Sequence, residues 1–181
     1  MTNRLEPLEP PFEPEVAELL AQYPQANGYL LELFRLFANS PRFLRKAVPN
    51  LLDAGSPLPM RQREIVILRV TANLGCEYEW GVHVTAFSSR VGLDPDQVAA
   101  TRNAPHDASC WDAPERLLLR VVDALCEQGT IPDPLYPAFQ EAWTCEQQLE
   151  ILALCGTYHT VSFVANSTRL PLETFGARFP Q

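Results

Sequence analysis

No stretch of this 181-residue chain is apolar for long enough to cross a bilayer, so a membrane is not an expected partner. The start, Met1 to Glu15, is rich in Pro and Glu and lacks the apolar stretch of a signal peptide. Positive charge is also scarce. The formal net charge is −8, and the only basic clusters (Arg42, Arg45 and Lys46; Arg61 and Arg63) are small and read as solvated helix faces. With no basic stripe to follow a phosphate backbone, nucleic acid is not expected either. The five cysteines, Cys76, Cys110, Cys126, Cys145 and Cys155, are odd in number, scattered and never spaced as Cys-x-x-Cys. That argues against a disulfide framework and against a structural zinc site, and the expectation is a reduced, cytoplasmic protein. What remains is an ordinary globular balance, 46% apolar and 20% charged, in a chain long enough to bury a core.

Proline is plentiful but absent from three windows, Met60–Asp94, Glu115–Ile131 and Ala138–Leu170, which hold none of the 17. A helix interior rejects proline by about 3 kcal/mol, so these windows are where long helices fit. No period-2 alternation bounded by hairpin turns occurs, and the fold class expected is all-α. Short helices are expected over Pro14–Ala21, over Asn27–Ala38 (with Leu30, Leu33, Phe34 and Phe37 on one face) and from Pro41 through Phe43, Leu44 and Val48. Leu51 and Leu52 continue that last one past Pro49. After the break at Gly55-Ser56-Pro57-Leu58-Pro59, Met60–Leu74 is apolar nearly all round, the mark of a helix buried on most sides. Cys76–Val91, Pro95–Thr101, Ala113–Gly129, Leu135–Trp143 and Cys145 to about Leu170 complete the set. One compact domain is expected, with short helices over 1–57, a core over 58–104 and further helices over 105–181.

The chemistry concentrates in Cys76-Glu77-Tyr78-Glu79-Trp80-Gly81-Val82-His83 and in Glu64, twelve positions before Cys76. Helical spacing puts Cys76, Glu79, His83, Phe87 and Arg90 on one stripe, a mixture that a purely structural stripe would replace with Leu, Ile and Val. Glu79 and His83, at i and i+4, form either a surface pair or an acid/base pair, since a carboxylate beside an imidazole favours imidazolium. Glu64 opens an apolar helix and must be paired or neutralised there, by the next helix or by Arg61 and Arg63. Cys76 reads either as a buried small hydrophobe or as a nucleophile. The helix N-terminus favours its thiolate, while Glu77 and Glu79 oppose it. Tyr78 and Trp80 read as core or interface aromatics that also stand near enough for substrate contact. His106 has no sequence neighbour to pair with, and His159 reads as a satisfied core histidine. No HExxH or remote Cys/His pair completes a metal site.

The segment Leu58–Leu93, LPMRQREIVILRVTANLGCEYEWGVHVTAFSSRVGL, resembles the core of the carboxymuconolactone decarboxylase / AhpD-like family. The family hallmark reads R-x-x-E-[LI]-V-I-L-R-V-A, then G-x-x-Y-E-W-x-x-H, then A-x-x-x-G-L. Arg61, Glu64, Tyr78, Glu79, Trp80, His83 and Gly92 fall in register with it. Trp111 and Gly156-Thr157-Tyr158 fit its surroundings. The resemblance implies an all-helical fold round a helical hairpin, assembled into homo-oligomers that act on a small molecule.

For activity it implies two branches. In the AhpD-like branch a Glu, a Cys-x-x-Cys pair and a His four residues on make a thiol peroxidase. Here those positions are Glu64, Cys76, Glu79 and His83, so Glu79 replaces the attacking cysteine and Cys76 would need an external thiol as reductant. In the decarboxylase branch, which needs no cofactor, His83 would donate a proton, Glu79 would orient it, and Arg69 or Arg90 would hold a substrate carboxylate. The leading expectation is a cofactor-free Glu79/His83 acid–base enzyme on a small carboxylated or lactone-like metabolite. A Cys76 peroxidase is second, and a non-catalytic small-molecule binder third.

Overall fold

The computed structural model describes residues 5–26, 28–46 and 51–180, except the side chains of Ala26 and Lys46. The expected helix start at Asn27, the continuation through Val48 and Pro49, and the Lys46 side chain therefore lie outside the described residues. The fold is all-α, with helices α1 (Pro14–Leu20), α2 (Glu32–Phe37), α3 (Pro41–Lys46), α4 (Met60–Asn73), α5 (Glu77–Phe87), α6 (Pro95–Asn103), α7 (Ala113–Gln128), α8 (Tyr136–Ala142) and α9 (Cys145–Thr168).

Helix α4 is the axle. Ile65, Val66, Ile67, Leu68 and Val70 are wholly buried, and α5, α6, α7 and α9 pack round it, which explains its lack of a polar face. At its end Gly75 takes φ +63°, and the Cys76 N–H returns to the Thr71 carbonyl at 2.8 Å. This left-handed turn stops α4 and reverses the chain into α5, so residues far apart in sequence face each other across a hairpin. The surrounding helices start where their caps dictate. Asp94, Asp112 and Thr144 each accept a bond from the backbone three residues on, and Gln97, Glu115 and Gln147 reach back to complete capping boxes. Buried Arg69 on α4 clamps this frame. It makes a two-pronged ion pair with Asp123 at 2.6 and 2.8 Å and donates to the carbonyls of Ala100, Thr101 and Ala104.

The N-terminal part departs from expectation. Helix α2 begins only at Glu32, because Gly28 at φ +82° sits in a turn joining two-residue strands β1 (Gln25–Ala26) and β2 (Tyr29–Leu30), paired antiparallel with Gln25 opposite Leu30. Leu30 is thus a strand residue. Val16, Leu20, Leu33, Leu36, Phe37 and Leu44 form a second apolar cluster with Tyr78, Val82, Val161 and Leu170. Beyond α9 the chain does not simply stop at Pro171. Residues 171–180 run back across α5 as an irregular strap that sequence periodicity does not signal.

Gly81 makes that crossing possible. A Cβ at this position would lie 2.2 Å from the Ala177 carbonyl oxygen, and the Ala177 N–H bonds the Gly81 carbonyl at 3.1 Å. Thr85 accepts from Ala177 N–H and donates to the Phe175 carbonyl. Phe179 N–H bonds Glu77 while its ring stacks against Trp80 at 5.1 Å. Buried Glu173 fixes the near end, accepting from the Tyr29 and Tyr78 hydroxyls at 2.6 Å each and from the Glu32 N–H at 3.0 Å.

Candidate active site

The hairpin turn at Gly75 brings α4 and α5 side by side, and with them Glu64, Glu79 and His83. His83 Nδ1 is 2.8 Å from Glu64 Oε2, and His83 Nε2 is 3.3 Å from Glu79 Oε1. The partner of Glu64 is therefore His83 on the next helix. Arg61 instead binds Glu115, Gln97 and the carbonyls of Val91 and Gly92, tying the start of α4 to the α5–α6 turn. All three site residues are buried, which removes the reading of Glu79 and His83 as a surface pair.

From α9 the Tyr158 hydroxyl lies 3.1 Å from the same His83 Nε2, and its ring meets the imidazole edge-on at 5.3 Å. Phe87 lies against the imidazole ring on a third side at 5.2 Å.

The charge state follows from this enclosure. Burial by itself pushes the His83 imidazole down, but the charge and hydrogen bond of Glu64, followed by those of Glu79, overcome it and raise the pKa to about 10. At neutral pH His83 is an imidazolium held at both nitrogens by carboxylates. The Glu64 hydrogen bond fixes one edge, and Glu79 keeps its other oxygen, Oε2, buried and without a partner. Tyr158 is pushed well above the usual tyrosine range, first by burial and then by Glu79 and Glu64, so it stays a phenol.

Cys76 is completely buried as the N-cap of α5. Desolvation raises its thiol to about 11. The Glu79 amide and the Ser162 hydroxyl pull it down and the Glu79 carboxylate pushes it up, but burial prevails over the helix N-terminus. Cys76 is thus a neutral thiol at neutral pH.

The other candidates disperse. Tyr78 turns into the N-terminal cluster, donating to Glu173 and accepting from the Leu33 N–H. Trp80 packs in the main core and donates to Thr101 at 2.9 Å. Arg69 is engaged with Asp123 on the far side of α4. Arg90 is exposed, with its guanidinium 5.9 Å from the centre of the Phe87 ring. One residue outside the expected set stands close instead, Tyr158. Arg63, expected with Arg61 as a possible partner of Glu64, is buried but turns elsewhere: its Nη1 donates to the carbonyls of Leu51 and Asp53, its Nε has no partner, and its charge acts on Tyr158. Tyr158 had a legible signal, since on the buried stripe Ile151, Leu154, Cys155, Tyr158, Val161, Ser162 and Ala165 only it and Ser162 carry hydroxyls. His106, expected to be alone, lies 3.4 Å from Asp123, whereas His159 bonds the Cys155 carbonyl of its own helix.

Two surface depressions lie elsewhere. One of about 290 Å³ is lined by His106, Asp123 and Leu135, and one of about 610 Å³ by Trp80, Val84 and Val98. Among the described residues the His83 cluster is enclosed. No described helix is long and apolar enough to cross a membrane.

Residues 43–123 match the model of the Carboxymuconolactone decarboxylase family, the family that the motif resembles. The whole chain is similar in fold to three solved structures. An uncharacterized peroxidase-related protein from Silicibacter sp. shares 18% identity at a TM-score of 0.79, with 98% of this chain and 97% of that one covered. The debrominase Bmp8, in a cysteine-to-alanine variant complexed with 2,3,4-tribromopyrrole, shares 15% identity at 0.78, with 97% and 94% covered. An uncharacterized peroxidase-related protein with an alkylhydroperoxidase AhpD core, from Ralstonia eutropha, shares 16% at 0.75, with 96% and 95% covered. At these identities the likeness is one of fold. No curated protein matches the chain significantly.

Proposed function

We propose that this protein is an acid–base enzyme in which Glu79 and His83 move a proton on a small lactone-like metabolite. The carrying observation is the Glu64–His83–Glu79 array, a buried imidazolium between two carboxylates of which one has a free oxygen. Glu79 Oε2 is the base that faces the substrate. His83 and Glu64 behind it hold Glu79 in place and take up or return charge as the proton moves. Arg69, with its donors on Asp123 and backbone carbonyls, is unsuited to holding a substrate carboxylate. That favours proton transfer at carbon, as in isomerisation, over decarboxylation.

A Cys76 peroxidase has less support, because its thiol is buried, neutral and without a second cysteine beside it on α5. The debrominase and peroxidase-related neighbours are the observations that keep a thiol reading in view. The enclosure of the cluster favours a different second reading, a helical scaffold whose polar array is structural.

The test is incubation in D₂O with simple lactones, with and without a carboxylate substituent, followed by proton NMR. The acid–base reading expects deuterium at the carbon next to the carbonyl, lost in Glu79→Gln. A folded wild-type protein that exchanges no lactone contradicts it and leaves the scaffold reading.

A further inference from the structure

Helix α9 is uncharged on its outer side as well as its inner one. The inner side packs on α4, α5, α7 and α8, but from Ile151 to Thr168 the helix holds no Asp, Glu, Lys or Arg on any side. A helix without a charged face is normally buried all round. Leu149 and Phe163 nevertheless keep 68% and 60% of their surface exposed, and Leu152 keeps 39%. Helical spacing sets Leu149, Leu152, Gly156, Thr160 and Phe163 in one exposed stripe.

That stripe is palindromic. Its steps are three, four, four and three residues, with Gly156 at the centre. A two-fold axis through Gly156 lays a second copy of α9 alongside the first, antiparallel, with the same face presented by both. Leu149 then meets Phe163 of the second copy, Leu152 meets Thr160, and Gly156 meets its own mate. Large side chains pair at both ends, and small ones let the backbones approach in the middle. A methyl at position 156 is no larger than that of Ala153 beside the stripe, so alanine fits there too.

Charge favours the same occupant. The helix has Glu146 in its first turn and Arg169 at its C-cap, both exposed and neither in an ion pair among the described residues. Antiparallel pairing brings each to the other at the ends of the seam, offset by about 4.5 Å along the axis. Two copies of a chain with net charge −8 repel one another, and a face free of carboxylates is where they meet at least cost. A lipid surface is a poorer fit, because interfacial helices carry several Lys or Arg, and from Cys145 to Arg169 the sole one is Arg169 itself.

We propose that the outer face of α9 is a dimer interface, covered by the same face of a second copy packed antiparallel about a two-fold axis at Gly156. The other side of this helix carries Tyr158 to His83, so the partner braces the element that closes the buried cluster.

The experiment is sedimentation velocity on the full chain over a range of concentrations. The wild type is expected to be a dimer. Leu149→Asp and Phe163→Asp are each expected to weaken it by about 30-fold or more. Both positions are exposed, so circular dichroism should show the monomer's helices intact. Register is read by a short bismaleimide in a Cys145→Ser background, which removes the exposed native thiol. Leu149→Cys combined with Phe163→Cys is expected to give a cross-linked dimer through those two positions. Leu149→Cys alone is not, since its two copies lie about 21 Å apart along the seam. A dimer indifferent to both aspartates overturns the surface, and linkage through Leu149→Cys alone overturns the antiparallel register. A monomeric wild type overturns the proposal, and binding of that monomer to phosphatidylcholine vesicles would assign the face to lipid instead.

Discussion

Replacing Gly81 by Ala sets two effects of opposite sign against each other. In the middle of an exposed helix this change stabilises by about 1 kcal/mol through helix propensity. Here the new methyl would sit 2.2 Å from the Ala177 carbonyl oxygen and 3.2 and 3.3 Å from the same residue's carbonyl carbon and nitrogen. Reaching ordinary contact requires the strap to lift by roughly 1 Å, and overpacking of that kind costs about 1–3 kcal/mol. The lift also strains the Ala177 bonds to the Gly81 carbonyl and the Thr85 hydroxyl, 3.1 and 3.0 Å long, each worth about 1 kcal/mol. Steric crowding and lost bonds outweigh propensity, and the net expectation is a loss of about 2 kcal/mol. In a chain of this size that lowers Tm by about 4–8 °C. Gly156→Ala is the control, because that helical glycine is exposed with nothing within 4 Å of a built Cβ, so propensity alone applies. It is expected to gain up to about 1 kcal/mol. Urea denaturation of both variants decides the matter. A Gly81→Ala protein as stable as the wild type would refute the strap's close docking on α5.

Two further outcomes follow from the titrating groups. Native-state alkylation with iodoacetamide at pH 8, read by mass spectrometry, is expected to label exposed Cys145 first and to leave Cys76 unmodified, since burial holds the Cys76 thiol near 11; equal rates would contradict its burial. Because the folded protein raises His83 from 6.5 to about 10, its stabilising contribution is complete below about pH 6.5 and disappears as pH climbs to 10. Between those limits the loss approaches about 1.4 kcal/mol per pH unit, so the stability profile of the wild type should fall more steeply than that of His83→Gln; parallel profiles would oppose it.

Much of this was legible from the sequence because the strongest signals were one-dimensional. The proline-free windows marked α4, α5, α7 and α9, and the caps Asp94, Asp112 and Thr144 fixed where helices begin. Glu79 and His83 declared themselves by i,i+4 spacing, and Glu64 by its place on an apolar helix. The partner of Glu64 emerged only in three dimensions, because it depends on the left-handed turn at Gly75 that folds α4 onto α5. By charge alone Arg69 and Arg90 are suited to hold a substrate carboxylate. Position decides otherwise, since Arg69 leaves α4 on the side facing Asp123. Tyr158 was missed as a partner of His83 because α9, which carries it, is 75 residues further along the chain. The strap over 171–180 carries no periodicity at all. Its single legible mark is Gly81, and a glycine inside a helix does not by itself announce that another segment crosses there.

The proposed chemistry requires His83 to be a buried imidazolium between two carboxylates. The most direct test is a long-range ¹H–¹⁵N NMR titration of the imidazole, assigned with His83→Gln and repeated in Glu64→Gln. The His83 ring is expected to be protonated at both nitrogens from pH 6 through 9 and to titrate near 10, with a clear downward shift when Glu64 loses its charge. A His83 that titrates near 6.5 in the wild type, or that ignores Glu64→Gln, would contradict it.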